Sequence, residues 1–310
     1  MARRIEHLGR HAAVSEALLG MVVGLAADGP EITSAVTALE GGQHTVGVGV
    51  VLGSNVFNLA ALLGVGSIAA GGIALHRRVI ALEGLVALSV ALLAVLFAGD
   101  VISAGAGLGL SLVVLGTYGA LISMRARTLA RLPLPRRLLA WLAAAIHEEN
   151  IELALPPRAT VRHYARSTAI LVAALVVLIG ASIEMEHAGI ALGARFHLSE
   201  LVVGGLLLAA VTSLPNAVAA LYLARRGRGT AVLSEAMNSN ALNVLAGLFL
   251  PAVVVGVTTT GTSSIFVAGW YGAMTLAVLV LVFLFSCLER RAGYLIVLSY
   301  VAFAVFVVRH

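Results

Sequence analysis

Long apolar runs separated by short polar breaks dominate the chain. They cover 13–38, 45–73, 79–99, 102–123, 167–186, 199–224, 230–257, 264–287 and 292–308. A membrane-crossing helix takes ~20 mostly apolar residues, so each run is long enough to span a bilayer. The pattern predicts nine transmembrane helices. The breaks between them differ in charge. Arg3, Arg4 and Arg10, His76-Arg77-Arg78, the Arg-rich stretch 125–166, Arg225-Arg226-Gly227-Arg228 and Glu289-Arg290-Arg291 fall on one side. Gly41-Gly42-Gln43-His44, Asp100, the segment Glu184 to Arg195 and the uncharged Thr258 to Ser264 fall on the other. Only Arg195 and Arg309 depart from this division. Cationic loops stay on the cytoplasmic side, so the chain is expected to begin inside a cell (inner) membrane, cross it several times and end outside.

Composition agrees with a bilayer as solvent. Apolar residues make up 60% of the chain, charged residues only 11%, and mean hydropathy is +1.02. A soluble domain is about half apolar and roughly a quarter charged. The net charge of +5 comes from arginines, with no Lys anywhere, and these lie in the breaks between spans. The expected partners are therefore membrane lipid and cations, not nucleic acid. The single Cys287 excludes an intrachain disulfide and a Cys-based metal site. No paired His or Cys constellation suggests an enzyme or a resident cofactor. The basic start followed by an apolar stretch superficially resembles a signal peptide. That stretch, however, runs directly into Asp28-Gly29-Pro30-Glu31, which returns in altered form later, so it is read as part of the mature fold.

The one long polar connection is 124–166, with Arg136-Arg137-Leu138-Leu139-Ala140-Trp141 and Glu148-Glu149. An amphipathic helix on the inner membrane surface and a plain linker both fit it. His147-Glu148-Glu149 resembles part of a zinc-protease motif but lacks a second His at the required spacing, which favours a solvated acidic face.

The two halves register at a shift of 185 residues. Pro30 meets Pro215, Gly42 meets Gly227, Thr45 meets Thr230, Ser54-Asn55 meets Ser239-Asn240, and Asn58 meets Asn243. Val14-Ser15-Glu16 echoes Leu198-Ser199-Glu200 at a shift one smaller. One copy starts from the inside and the other from the outside, so the repeats are inverted. Inverted repeats with broken helices are a recurring transporter architecture, with the ion site near the midplane. The residues suit that use. Pro30 and Pro215 interrupt apolar runs and free backbone carbonyls. Asp28 and Glu31 stand beside the first break; Thr212, Ser213 and Asn216 stand beside the second. Ser54 and Asn58, like Ser239 and Asn243, are four apart and share a helical face. Glu235 lies one turn before Ser239. Hard cations prefer such oxygen ligands, and a carboxylate at bilayer depth is costly enough to imply function. Ser and Asn also serve as interhelical glue in membranes, and small residues such as Gly53 and Gly64 permit close packing.

At these positions the sequence resembles the cation/calcium antiporter superfamily, in its sodium/calcium exchanger membrane region. The family pattern reads approximately Gly-Thr-Ser-x-Pro-Glu, then Gly-Ser-Asn-x-Phe-Asn about two dozen residues later. Here the first copy is Ala26-Ala27-Asp28-Gly29-Pro30-Glu31 with Gly53-Ser54-Asn55-Val56-Phe57-Asn58. The second is Val211-Thr212-Ser213-Leu214-Pro215-Asn216 with Asn238-Ser239-Asn240-Ala241-Leu242-Asn243. The resemblance implies an all-α membrane protein of about nine helices in two inverted repeats. It divides the chain into a first repeat, 1–123, whose leading helix is expected to be missing, a cytoplasmic loop, 124–166, and a second repeat, 167–310. It implies no enzyme and no cofactor, but a secondary cation antiporter exchanging Ca²⁺ for Na⁺ or H⁺ by alternating access. Glu31, Ser54, Asn58, Thr212, Ser213, Asn216, Ser239 and Asn243 fall at the family's cation-site positions, with Glu31, Asn58 and Asn243 as metal ligands. Asn216 stands where the family has a second carboxylate. Asp28 or Glu235 is expected to restore the charge. A Na⁺/H⁺ antiporter and a transport-inactive scaffold of the same fold remain alternatives.

Overall fold

The computed structural model describes residues 28–124, 126–153, 161–257 and 262–309. The readings made on 1–27, including the start of the first span, the rejected signal peptide and the Val14-Ser15-Glu16 echo, lie outside these residues, as does most of the external break at Thr258.

Helices dominate because a chain in lipid must satisfy every backbone polar group internally. The first is α1, Gly29–Glu40, followed by the long α2, His44–Ala70. A short strand β1, Gly72–Ala74, leads into α3, Arg77–Ala98, and α4, Ala104–Ser123. The connecting region contains α5, Arg136–Leu153, and α6, Val161–Phe196. Then come α7, Glu200–Thr212, α8, Leu214–Arg225, and α9, Gly229–Val255. The chain closes with α10, Thr262–Phe285, β2, Cys287–Glu289, and α11, Arg290–Arg309.

Residue for residue, α8 and α9 lie 185 positions after α1 and α2, and α10 and α11 follow α3 and α4 at almost the same interval. Among the described residues six helices are long and apolar enough to cross a membrane, and α7 and α8, bent by 46° between them, form either a broken seventh span or a re-entrant loop. The expected run 167–186 lies inside α6, and 28–38 of the first run falls on α1 and its N-cap. Many outward side chains, such as Leu85, Leu92, Val113, Val254, Leu284 and Leu298, are large, apolar and exposed. An apolar exterior is what a lipid-facing surface requires.

The breaks come where proline dictates. Asp28 and Ser213, again 185 apart, are the N-caps of α1 and α8, and both hold ψ near zero: φ −79°, ψ 0° and φ −84°, ψ −1°. Pro30 and Pro215 sit in the first turns, where a missing N–H costs nothing. Two π-helical turns interrupt the long helices at matching places, Leu59–Val65 in α2 and Asn243–Phe249 in α9. A third, Val203–Leu208, lies in α7. Such turns concentrate at functional sites.

The core forms where the two halves interleave. The π turn of α7 lies against α2, and the π turns of α9 and α2 pack on α1 and α8 respectively. The close approach of α7 to α2 requires glycine: a Cβ on Gly53 would stand 2.2 Å from the Gly205 carbonyl oxygen, and one on Gly204 would stand 2.4 Å from that of Val46.

The residues assigned to the cationic side do gather at one end. The strands β1 and β2 pair antiparallel, with Gly72 opposite Glu289 and Ala74 opposite Cys287. Arg290 Nε donates to the Ile68 carbonyl at 3.2 Å, Arg77 Nε donates to Ser286 Oγ at 2.6 Å, and His76 Nδ1 lies 3.0 Å from Thr230 Oγ1. The ribbon was not expected from sequence: its three-residue strands are too short to leave a period-two signal. The middle of the 124–166 connection is a helix and not a plain linker. Its face Leu142, Ala145 and Ile146 is buried, and it packs against α3 and α9. Glu148 pairs with Arg78 of α3.

Candidate cation site

Asp28, Glu31, Asn58, Ser213 and Asn243 are fully buried, and Thr212, Asn216 and Ser239 nearly so. The helix starts at Asp28 and Ser213 deliver the first turns of α1 and α8 to the place where α2 and α9 bring their Ser and Asn residues. Asn216 Nδ2 donates to Asp28 Oδ1 at 2.7 Å and to Glu31 Oε1 at 3.2 Å. It also approaches Ser239 Oγ at 3.4 Å. Ser239 Oγ donates to the same Asp28 oxygen at 2.6 Å, and Asn58 Nδ2 reaches Ser239 Oγ at 3.3 Å. One hydrogen-bonded network thus joins both carboxylates of the first repeat to amide and hydroxyl groups of the second.

Five buried oxygens of this set have no hydrogen-bond donor: Asp28 Oδ2, Glu31 Oε2, Asn58 Oδ1, Ser213 Oγ and Asn243 Oδ1. Buried polar atoms are normally paired, because leaving one unpaired costs roughly 1–3 kcal/mol. Among the described residues no ion pair neutralises Asp28 or Glu31. A cluster of carboxylate and amide oxygens with a serine hydroxyl beside them fits a hard cation.

The remaining sequence candidates are less central. Thr212 Oγ1 donates back into its own helix, to Leu208 O at 2.9 Å, and Ser54 Oγ donates to Ala209 O at 3.4 Å. Glu235 is half-buried and feels the charge of Asp28, yet no hydrogen bond of the described network reaches it. Glu83, also near the cationic end, is buried and accepts a hydrogen bond from Ser234, joining α3 to α9. Among the described residues no group of three or more His, Cys, Asp or Glu comes together, so any metal here would be held by a mixed oxygen set.

Two residues that the sequence reading left out of the site adjoin it. Asn55 Nδ2 donates to the Asn240 carbonyl at 3.0 Å, and Asn240 Nδ2 donates to the Asn55 carbonyl at 3.1 Å. This reciprocal clasp has the symmetry of the repeat. Its signal was present, since Asn55 and Asn240 match at the 185-residue shift.

The sodium/calcium exchanger protein family model matches residues 1–126 and 166–309. The chain belongs to this family. Among curated relatives, the putative antiporter CaxA of Alkalimonas amylolytica is 27% identical over 248 residues, covering 80% of this chain and 73% of that protein. Solved structures of the sodium-calcium exchanger NCX_Mj share the fold. The form soaked with 100 mM Na⁺ and 10 mM Sr²⁺ is 21% identical, with a TM-score of 0.64 over 96% of this chain and 88% of that one. The form soaked with 2.5 mM Na⁺ and 0.1 mM Ca²⁺ gives 0.63 at 21% identity, again over 96% and 88%. This exchanger-family chain is therefore a multi-pass membrane protein built for cation antiport, with two carboxylates on α1 and its N-cap and none at Asn216.

Proposed function

We propose that the chain is a secondary active antiporter that carries Ca²⁺ in exchange for Na⁺ or H⁺ by alternating access. The observation that supports this most is the pairing of two fully buried carboxylates, Asp28 and Glu31, through a single amide, Asn216, with one oxygen of each carboxylate and three further oxygens, of Asn58, Ser213 and Asn243, left without a partner. Two like charges this close in a medium of low dielectric repel strongly. One divalent ion neutralises both, as do a sodium ion and a proton, or two protons. These loads exclude one another, and mutual exclusion at one site is the basis of exchange.

In this reading Asp28 and Glu31 supply the negative charge, while Asn58, Asn243 and Ser213 supply neutral oxygens. Ca²⁺ takes six to eight oxygen ligands, so the five would be completed by water or by a second oxygen of the same groups. Ser54, Thr212, Asn216 and Ser239 line the site and set its shape. Asn216 has a particular part: its NH₂ holds Asp28 Oδ1 and Glu31 Oε1, which leaves Asp28 Oδ2 and Glu31 Oε2 for the cation. The divisions 1–123, 124–166 and 167–310, an N-terminus in the cytoplasm and an inner-membrane location belong to the same proposal. The clustering of Arg77, Arg78 and Arg290 at one end favours that orientation.

A monovalent Na⁺/H⁺ exchanger is the second reading, and one observation favours it: Asn216 presents a donor where a further carboxylate would add charge. Radiolabelled Ca²⁺ uptake into proteoliposomes, driven by an outward Na⁺ or H⁺ gradient, separates the two. Uptake that collapses with either gradient supports Ca²⁺ exchange. Absence of Ca²⁺ uptake with Na⁺/H⁺ exchange intact selects the monovalent reading, and absence of both selects a transport-inactive protein.

A further inference from the structure

An Asn side chain carries a donor at one end and an acceptor at the other, and which end points where follows from its partners. In this site the orientation can be traced from fixed points. The carbonyl oxygens of Asn55 and Asn240 are backbone atoms at the ends of the α-helical parts of α2 and α9, beside the π turns, and a carbonyl can only accept. The carbonyl of Asn240 must therefore face the NH₂ of Asn55, which it meets at 3.0 Å. That turns Asn55 Oδ1 the other way, where it accepts from Asn243 Nδ2 at 3.3 Å. With its NH₂ engaged, Asn243 has its own Oδ1 left over, buried and without a donor.

The second chain mirrors the first. The carbonyl of Asn55 takes the NH₂ of Asn240 at 3.1 Å, Asn240 Oδ1 accepts from Asn58 Nδ2 at 3.1 Å, and Asn58 Oδ1 is left over in the same way. Reversing any one amide would set oxygen against oxygen or nitrogen against nitrogen along its chain. Each relay is therefore set as a whole by a carbonyl that cannot turn.

We infer that Asn55 and Asn240 are positioning residues whose amides, anchored on each other's backbone carbonyls, hold the side-chain oxygens of Asn243 and Asn58 toward the transported cation. This rests on the cation-site reading above. The control is crossed: Asn55 of the first repeat orients Asn243 of the second, and Asn240 of the second orients Asn58 of the first. The two amide ligands of the neutral set are thus each oriented from the opposite repeat.

The test is a set of double-mutant cycles on the half-saturating cation concentration in the proteoliposome assay. Alanine at 55 or 240 keeps the backbone carbonyl and removes only the amide. Asn55→Ala and Asn243→Ala are each expected to weaken apparent affinity about tenfold, a cost of about 1.4 kcal/mol, and the double variant no more than the stronger single one. Asn55→Ala with Asn58→Ala is expected to multiply, and Asn240 behaves conversely. Asn55→Leu keeps roughly the volume but loses both donor and acceptor, so it is expected to fall as far as Asn55→Ala, through the half-saturating concentration more than the maximal rate. Wild-type affinity in Asn55→Leu, or multiplication within the crossed pairs, overturns the relay. A wild-type protein that moves no cation overturns the transport reading instead. The same cycles on cation-free thermal unfolding in detergent then decide the relay, coupling in the crossed pairs supporting it and additivity refuting it.

Discussion

The contact between α2 and α7 makes a sharp test of how the site is held together. Replacing Gly53 by Ala adds one methyl group. In place it would lie 2.2 Å from the Gly205 carbonyl oxygen, 2.7 Å from Gly205 Cα and 2.8 Å from the Gly205 carbonyl carbon. Ordinary contact begins near 3.4 Å, so α7 must retreat by roughly an ångström. The opposing atoms are backbone in a buried π turn and cannot rotate away. Overpacking a core by a methyl typically costs ~1–3 kcal/mol, and a rigid backbone neighbour puts this case at about the upper end. At roughly 2–4 °C per kcal/mol, the melting temperature in detergent should fall by about 5–10 °C. Ser54, next in sequence, donates to Ala209 of α7, so the retreat also opens the contact that seats Thr212 and Ser213. Cation uptake should drop with stability. The comparison variants make the reasoning vulnerable. Gly205→Ala, whose added Cβ meets nothing closer than 3.5 Å, and Gly109→Ala, with nothing within 4 Å, should both unfold close to the wild-type temperature. If Gly53→Ala matched them in melting temperature and uptake, the close-approach argument would be wrong.

Three further outcomes follow from the site and its surroundings. Asp28→Asn and Glu31→Gln should each reduce Ca²⁺ uptake at limiting ion by at least about tenfold, since each removes one of two charges that a divalent ion must meet; near-normal uptake in either would remove that carboxylate from the site. Glu235→Gln should weaken apparent affinity by only roughly threefold, the through-space effect of one charge, because no hydrogen bond of the described network reaches this half-buried group. A loss as deep as that of Glu31→Gln would make Glu235 a direct ligand. Glu148→Gln breaks an ion pair whose partners are 21% and 48% exposed, so unfolding should change by no more than ~1 kcal/mol and uptake should persist; loss of transport would show that α5 controls the mechanism.

Much of this fold was legible in the sequence because the bilayer imposes a length on every crossing. The apolar runs at 45–73, 79–99 and 230–257 each correspond to a helix, α1 and α8 begin beside Pro30 and Pro215, and the run 199–224 breaks at Ser213. Duplication did the rest: Ser54, Asn58, Ser239 and Asn243 stood out because each appears twice at one spacing. Contacts between the copies left no such trace. That Asn216 donates to both acids, or that Asn55 clasps Asn240, depends on how two distant helices are rotated against each other. The sequence reading treated Asp28 and Glu235 as equivalent sources of charge, whereas packing seats Asp28 inside the network and leaves Glu235 half-buried a turn away. The π turns were also silent, since one extra residue per turn does not disturb an apolar run.

The small ribbon of β1 and β2 has a mechanical meaning. It stitches the connection after α2 to the one between α10 and α11, so main-chain hydrogen bonds tie the two repeats together at one face of the membrane. A body pinned along one edge moves least there and most at the far side. If the repeats rock against each other as the ion changes sides, the ribbon is the natural fulcrum, and the same small rotation is read as a minor adjustment at the arginine-rich face and a wide swing opposite.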